Sequence, residues 1–188
     1  MKKNNVILIA AVAVAFGVIG AVVGINKKPA TATAPVTALA MPNPGGAPHD
    51  AVGALYAQSM NDAAGAPQAL SQWKGKAMVV NFWAPWCAPC VQEMPELAAL
   101  ASELAGKNIG VIGIGIDSPT NIAQFAEKFK ITYPLYVAGM RGTDLSRQFG
   151  NTAGGLPYTV LIGADGQVRK TYLGRIKFDQ LKADLAKL

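Results

Sequence analysis

The chain has 188 residues, enough for one domain with a full core plus a tail, and only 15% of them are charged, a low share for a wholly soluble protein. The formal charge of +6 does not mark a nucleic-acid binder: four of the 17 basic residues, Lys2, Lys3, Lys27 and Lys28, flank one apolar run, and from Ala51 onward 13 basic residues stand against 10 acidic ones without clustering. Two cysteines and one histidine could complete a structural zinc site only with carboxylates, which such sites rarely use.

Residues 1–5 make a short N-terminus assigned to the cytoplasm, and Val6 to Ile25 follows without a single charge. Twenty residues at about 1.5 Å of rise give roughly 30 Å of helix, the thickness of a bilayer's hydrocarbon core, so residues 6–25 are read as a transmembrane anchor. A cleaved secretory signal is the alternative, with Lys2 and Lys3 as its basic region and Ala38-Leu39-Ala40 as its cleavage site. The length of the run and the remoteness of that triplet favour an uncleaved anchor. Lys27 and Lys28 balance Lys2 and Lys3, so the positive-inside rule alone sets no orientation. Residues 26–50, rich in Pro, Ala, Thr and Gly, read as a flexible linker, and His49 there reads as a solvated residue with no second ligand beside it.

From residue 51 to 188 the pattern is that of one alternating α/β domain. Strands are expected near Leu55 to Met60, and Ala77 to Trp83 reads as a buried central strand. Val91 to Leu104 carries apolar residues at helical spacing, with Gly106 placed to stop it and Pro95 expected to kink it. Ile109 to Ile116 reads as a second buried strand, Thr120 to Phe129 as a helix capped near Thr120 or Asn121, and Tyr133 to Val137 as a short strand. The glycines at 110, 113 and 115 lead into no helix and make no nucleotide loop, and Asp117 reads as a turn or helix-start residue. Tyr158 to Ile162 and Val168 to Tyr172, joined through Asp165-Gly166, form a predicted hairpin, and Phe178 to Leu188 a final amphipathic helix.

Chemistry concentrates in Trp86-Cys87-Ala88-Pro89-Cys90, at the junction of the central strand and the helix after it. Cysteines at i and i+3 on a first helical turn bring their sulfurs within reach of a short, reversible disulfide. The unpaired amides and positive dipole end of that turn favour a thiolate on Cys87, which makes Cys87 the expected attacking sulfur and Cys90 the resolving one. A static disulfide is the competing reading, but so small a loop constrains the unfolded chain little.

The stretch Val79-Val80-Asn81-Phe82-Trp83-Ala84-Pro85-Trp86-Cys87-Ala88-Pro89-Cys90, with Glu93-Met94-Pro95 after it, resembles the active-site segment of TlpA/ResA-type proteins, membrane-anchored, outward-facing thiol-disulfide oxidoreductases of bacteria. The resemblance covers roughly residues 51–188 and implies a thioredoxin-like fold with a mixed central sheet flanked by helices. It implies that Leu156-Pro157, in Gly154-Gly155-Leu156-Pro157-Tyr158-Thr159, is a cis bond facing the dithiol, with the Leu156 backbone pairing with a substrate segment. It also places Trp86 beside the reactive sulfur. Asn81 stands where thioredoxin has a buried aspartate, and Glu93 matches a glutamate beside the family's dithiol. Glu93 is therefore a candidate proton acceptor for Cys90, against the plainer reading of a solvated glutamate favouring the helix dipole.

The functional expectation is a reductase: electrons from a membrane thiol donor pass through Cys87 to disulfides of exported clients, with apocytochrome c and copper-site assembly factors as the clients the resemblance suggests. The catalytic domain would face the periplasm or exterior as a monomer, with no metal or cofactor beyond the redox disulfide and no nucleic-acid partner. Two alternatives stand beside it. One is a disulfide-introducing oxidant, which differs in redox poise. The other is a copper-binding chaperone, for which the sequence offers only Met94 close to the cysteines.

Overall fold

The computed structural model describes residues 48–188; the predicted anchor and most of the predicted linker lie outside the described residues. Among the described residues no helix is long and apolar enough to cross a membrane.

The organising element is β3, Ala77–Trp83, whose seven residues are all buried. Such a strand must be covered on both faces, and its alternating side chains divide between two cores. Met78, Val80 and Phe82 join a cluster with Ala51, Val52 and Leu55 of helix α1 (Pro48–Tyr56) and Leu145 of α4 (Arg141–Gln148). Val79 and Trp83 join a second cluster with Leu97 and Leu100 of α2 (Ala88–Glu103), Ile122 and Phe125 of α3 (Pro119–Lys128), and Leu181 and Leu185 of α5 (Phe178–Leu185). The result is a seven-stranded sheet between two helical layers.

Strand order is β2 (Pro67–Ala69), β1 (Ser59–Asp62), β5 (Leu135–Val137), β4 (Ile109–Gly115), β3, β6 (Tyr158–Ile162) and β7 (Val168–Leu173). The β3–β4 and β4–β5 pairs are parallel, and the other four pairs antiparallel, so the sheet is mixed, as the resemblance implied. In the β3–β6 ladder Asn81 lies opposite Thr159 and Phe82 opposite Tyr158, which brings Leu156-Pro157 to the end of β3 from which the Cys87 loop departs.

Several element boundaries differ from the sequence reading, each for a local reason. No strand forms at Leu55: Ala51, Val52, Leu55 and Tyr56 recur at helical spacing and are all buried in α1, whose helix begins at Pro48, ahead of the expected domain start. Helix α2 starts at Ala88 because Cys87 itself caps it. Helix α3 is capped by Ser118, whose hydroxyl accepts the Asn121 N–H at 3.2 Å, and Pro119 occupies its first turn. Asp117 accepts from the Ser118 N–H at 2.6 Å and the Asn121 amide at 2.7 Å, the expected turn role. Strand β5 begins only at Leu135, since Pro134 has no N–H for a ladder.

Helix α4 and strand β2 were not foreseen, and of the strands expected near Leu55 to Met60 only β1 forms, starting at Ser59: α4 is too polar to show a helical apolar period, burying only Gly142, Leu145 and Ser146. The glycines of β4 are packing positions. A Cβ at Gly113 would meet the side chains of Leu135 and Trp83, and one at Gly115 that of Ile122.

Candidate active site

Cys87 and Cys90 are joined in a disulfide with their Cα atoms 5.3 Å apart. The local sequence accounts for this. Cys87 has extended backbone at the N-cap, Pro89 sits where a missing N–H costs nothing, and the Cys90 N–H points back at the Cys87 sulfur at 3.3 Å. One N–H donor at a helix N-terminus thus already addresses Cys87, the position at which negative charge is best tolerated. Cys90 is fully buried, whereas Cys87 retains 7% exposure, so Cys87 offers the accessible edge of the disulfide.

Trp86 is 68% exposed and forms one wall of a surface groove of about 680 Å³, whose other walls include Ile116, Pro119, Val137 and Met140. The Leu156-Pro157 bond is cis. The Pro157 carbonyl accepts the Gly174 N–H at 2.9 Å, and Asn151 clamps both polar backbone atoms of Gly155, at 2.9 and 3.1 Å. Among the described residues, the N–H and C=O of Leu156 between them have no partner, which leaves them for an incoming extended segment.

One turn beyond Cys90, Glu93 is fully buried, which rules out the solvated first-turn reading. Its Oε1 accepts from the Asn81 side-chain amide at 2.7 Å and its Oε2 from the Ile176 backbone N–H at 2.9 Å. The Asn81 amide also donates to Thr159 Oγ1 at 3.0 Å. Burial penalises the carboxylate and pushes the Glu93 pKa up to about 7; the Ile176 and Asn81 hydrogen bonds and the charge of Arg175 hold it back, and Glu96 adds to the rise. Tyr133 is buried near this carboxyl, and burial together with the Glu93 charge drives its hydroxyl far above the usual tyrosine range.

Sequence reasoning named Glu93 but missed most of its cage. Thr159 and Ile176 lie 78 and 83 residues away along the chain from the groups they bind, and the Ile176 contribution is a backbone amide that no side-chain pattern could signal. Met94, the ligand offered for a copper chaperone, is fully buried in the core.

A thioredoxin fold carrying a Cys-x-x-Cys disulfide at the N-terminus of the helix that follows its central strand, with a cis-proline ahead of the adjoining antiparallel strand, defines a class of dithiol redox domains. Residues 41–185 match the family model described as Redoxin. The chain is 30% identical over 127 residues, 67% of its own length and 71% of the relative's, to a thiol-disulfide oxidoreductase ResA of Geobacillus thermodenitrificans, and 32% identical over 121 residues to one from Bacillus cereus, covering 63% and 67%. The crystal structure of a thiol:disulfide interchange protein of the thioredoxin family from Chlorobium tepidum superposes with a TM-score of 0.60 at 27% identity, covering 69% of this chain and 91% of that one.

The chain belongs to the Redoxin family, and it is a thioredoxin-like thiol-disulfide oxidoreductase of the ResA/TlpA type.

Proposed function

We propose that this oxidoreductase reduces disulfides of exported client proteins. In this reading the Val6 to Ile25 segment holds the domain at the bacterial cytoplasmic membrane, on the periplasmic or outer side, within reach of a membrane thiol donor. The supporting observation is the pairing of a reachable Cys87 at a helix N-terminus with a fully buried Glu93 one turn past Cys90.

The exchange runs in two displacements. With the pair reduced, the Cys87 thiolate attacks one sulfur of the client disulfide; that bond breaks, a mixed disulfide forms, and the first client thiolate leaves. Cys90 then gives its proton to Glu93 and attacks the Cys87 sulfur. The Cys87–Cys90 disulfide forms, the second client thiolate leaves, and the client has gained the two electrons the dithiol lost. Trp86 and the Leu156-Pro157 backbone position the client, with the Leu156 N–H and C=O pairing with its extended chain. In this reading the clients are apocytochrome c or copper-site assembly factors.

Cys90→Ala halts the second displacement, so mixed disulfides on Cys87 should accumulate and be recovered by thiol trapping; recovery of none would sink the proposal. A reduction potential more oxidising than about −180 mV would instead favour a disulfide-introducing role.

A further inference from the structure

The cage around Glu93 contains an atom that the redox chemistry does not explain. Asn81 Oδ1 is sealed from solvent with no hydrogen-bond partner among the described residues, although its own Nδ2 makes two bonds at 2.7 and 3.0 Å. A sealed amide oxygen is costly, and this one finds a donor only if the amide can turn toward the Glu93 carboxyl.

The observed arrangement suits a Glu93 carboxylate: Oε1 accepts from Asn81, Oε2 accepts from Ile176, and Thr159 Oγ1 accepts the second Asn81 proton. It does not suit the protonated acid. With Oε2 committed to the Ile176 N–H, the new proton sits on Oε1 and faces another donor. Turning the Asn81 amide by half a rotation resolves the clash. Oδ1 then accepts from the Glu93 hydroxyl and from the Thr159 hydroxyl, which can donate as readily as accept, while Nδ2 takes the sealed place. Both states hold three hydrogen bonds and leave one amide atom unpaired.

We propose that Asn81 is a positioning residue that reverses its amide each time Glu93 gains or loses a proton, so the carboxyl keeps its cage through the exchange cycle. Thr159 is the second member of the device. An ionised aspartate at 81 could not serve, because it offers only acceptors to a carboxylate 2.7 Å away. The other groups facing Glu93 do not take over this role: Tyr133 Oη makes no hydrogen bond to Glu93 or to any other described residue, and Arg175 is engaged by Glu96 at 2.6 Å. The inference rests on reading Glu93 as the acceptor of the Cys90 proton.

The test is NMR of the oxidised full chain in detergent micelles, where neither cysteine titrates. The Asn81 side-chain amide signals should shift through one midpoint that coincides with the Glu93 carboxyl carbon, near 7. In Glu93→Gln the glutamine can meet Oδ1 only by donating, so the Asn81 signals should hold their acid-form positions at every pH. Asn81 signals that stay still while Glu93 titrates, or alkaline-form positions in Glu93→Gln, would overturn the proposal without touching the proton-transfer role. An unchanged exchange rate in Glu93→Gln, with the Asn81 signals behaving as expected, would remove that role and leave the amide reversal standing.

Discussion

The two faces of the sheet are built from the same strands and do opposite work. Toward α1 and α4, the strands present Met78, Val80, Phe82, Ile112, Ile114, Tyr158, Val160 and Ile162, and the tyrosine hydroxyls there are satisfied. Tyr158 donates to the Phe149 carbonyl at 2.8 Å, Tyr136 accepts from Trp73 at 3.0 Å, and Tyr56 meets the Met78 sulfur at 3.7 Å. Toward α2, α3 and α5, Asn81, Thr159 and Glu93 are set among apolar residues, and all three sealed side-chain atoms lacking a partner among the described residues, Asn81 Oδ1, Trp83 Nε1 and Tyr133 Oη, lie on this side. One face holds the fold together; the other gives up part of that stability for a carboxyl that titrates near neutrality.

The comparison can be broken most sharply by emptying the apolar face. Phe82→Ala should lose about 3–5 kcal/mol in denaturant unfolding, equally on the acid and the alkaline side of neutrality, because Phe82 packs on the rings of Phe149 and Tyr158 and not on the Glu93 cage. A loss that varied strongly with pH would show that the two faces are not independent.

Glu93→Gln should act the other way. The folded protein holds the Glu93 proton more tightly than the unfolded chain, so the contribution of Glu93 to wild-type stability is greatest below the ordinary glutamate pKa of 4.5 and is lost as pH rises toward about 7. The loss amounts to roughly 3 kcal/mol at most, and the variant, having no charge to bury, should escape it. Unfolding curves on either side of that window check the sign, while disulfide exchange by the same variant should slow by roughly 10²-fold. The smallest effect belongs to Tyr133→Phe. Removing a sealed hydroxyl without a partner among the described residues should stabilise the protein by about 1 kcal/mol in thermal or denaturant unfolding, and destabilisation of that size would mean the hydroxyl has a partner after all.

How far the sequence carried depends on the distance over which each feature is specified. β3, β4, β6 and β7, and helices α2, α3 and α5, were legible because buried strands and amphipathic helices write their own periods. Helix α4 and strand β2 were not, and β1 only in part, since RGTDLSRQ has almost no apolar stripe and β1 and β2 are only four and three residues long. Both are held in place by tertiary contacts, as where Gly142 admits the side chains of Ile116 and Ala138.

The same division runs through the site. The residues alone determined the redox pair, because i and i+3 on a helix start are neighbours by covalent geometry, and the N-cap position of Cys87 follows from the strand-to-helix junction. Only the tertiary structure decided that Glu93 is buried and caged. Its cage draws on a strand 12 residues before it and a backbone amide 83 residues after it, and the removal of water that raises its pKa exists only once α2 has closed over the sheet.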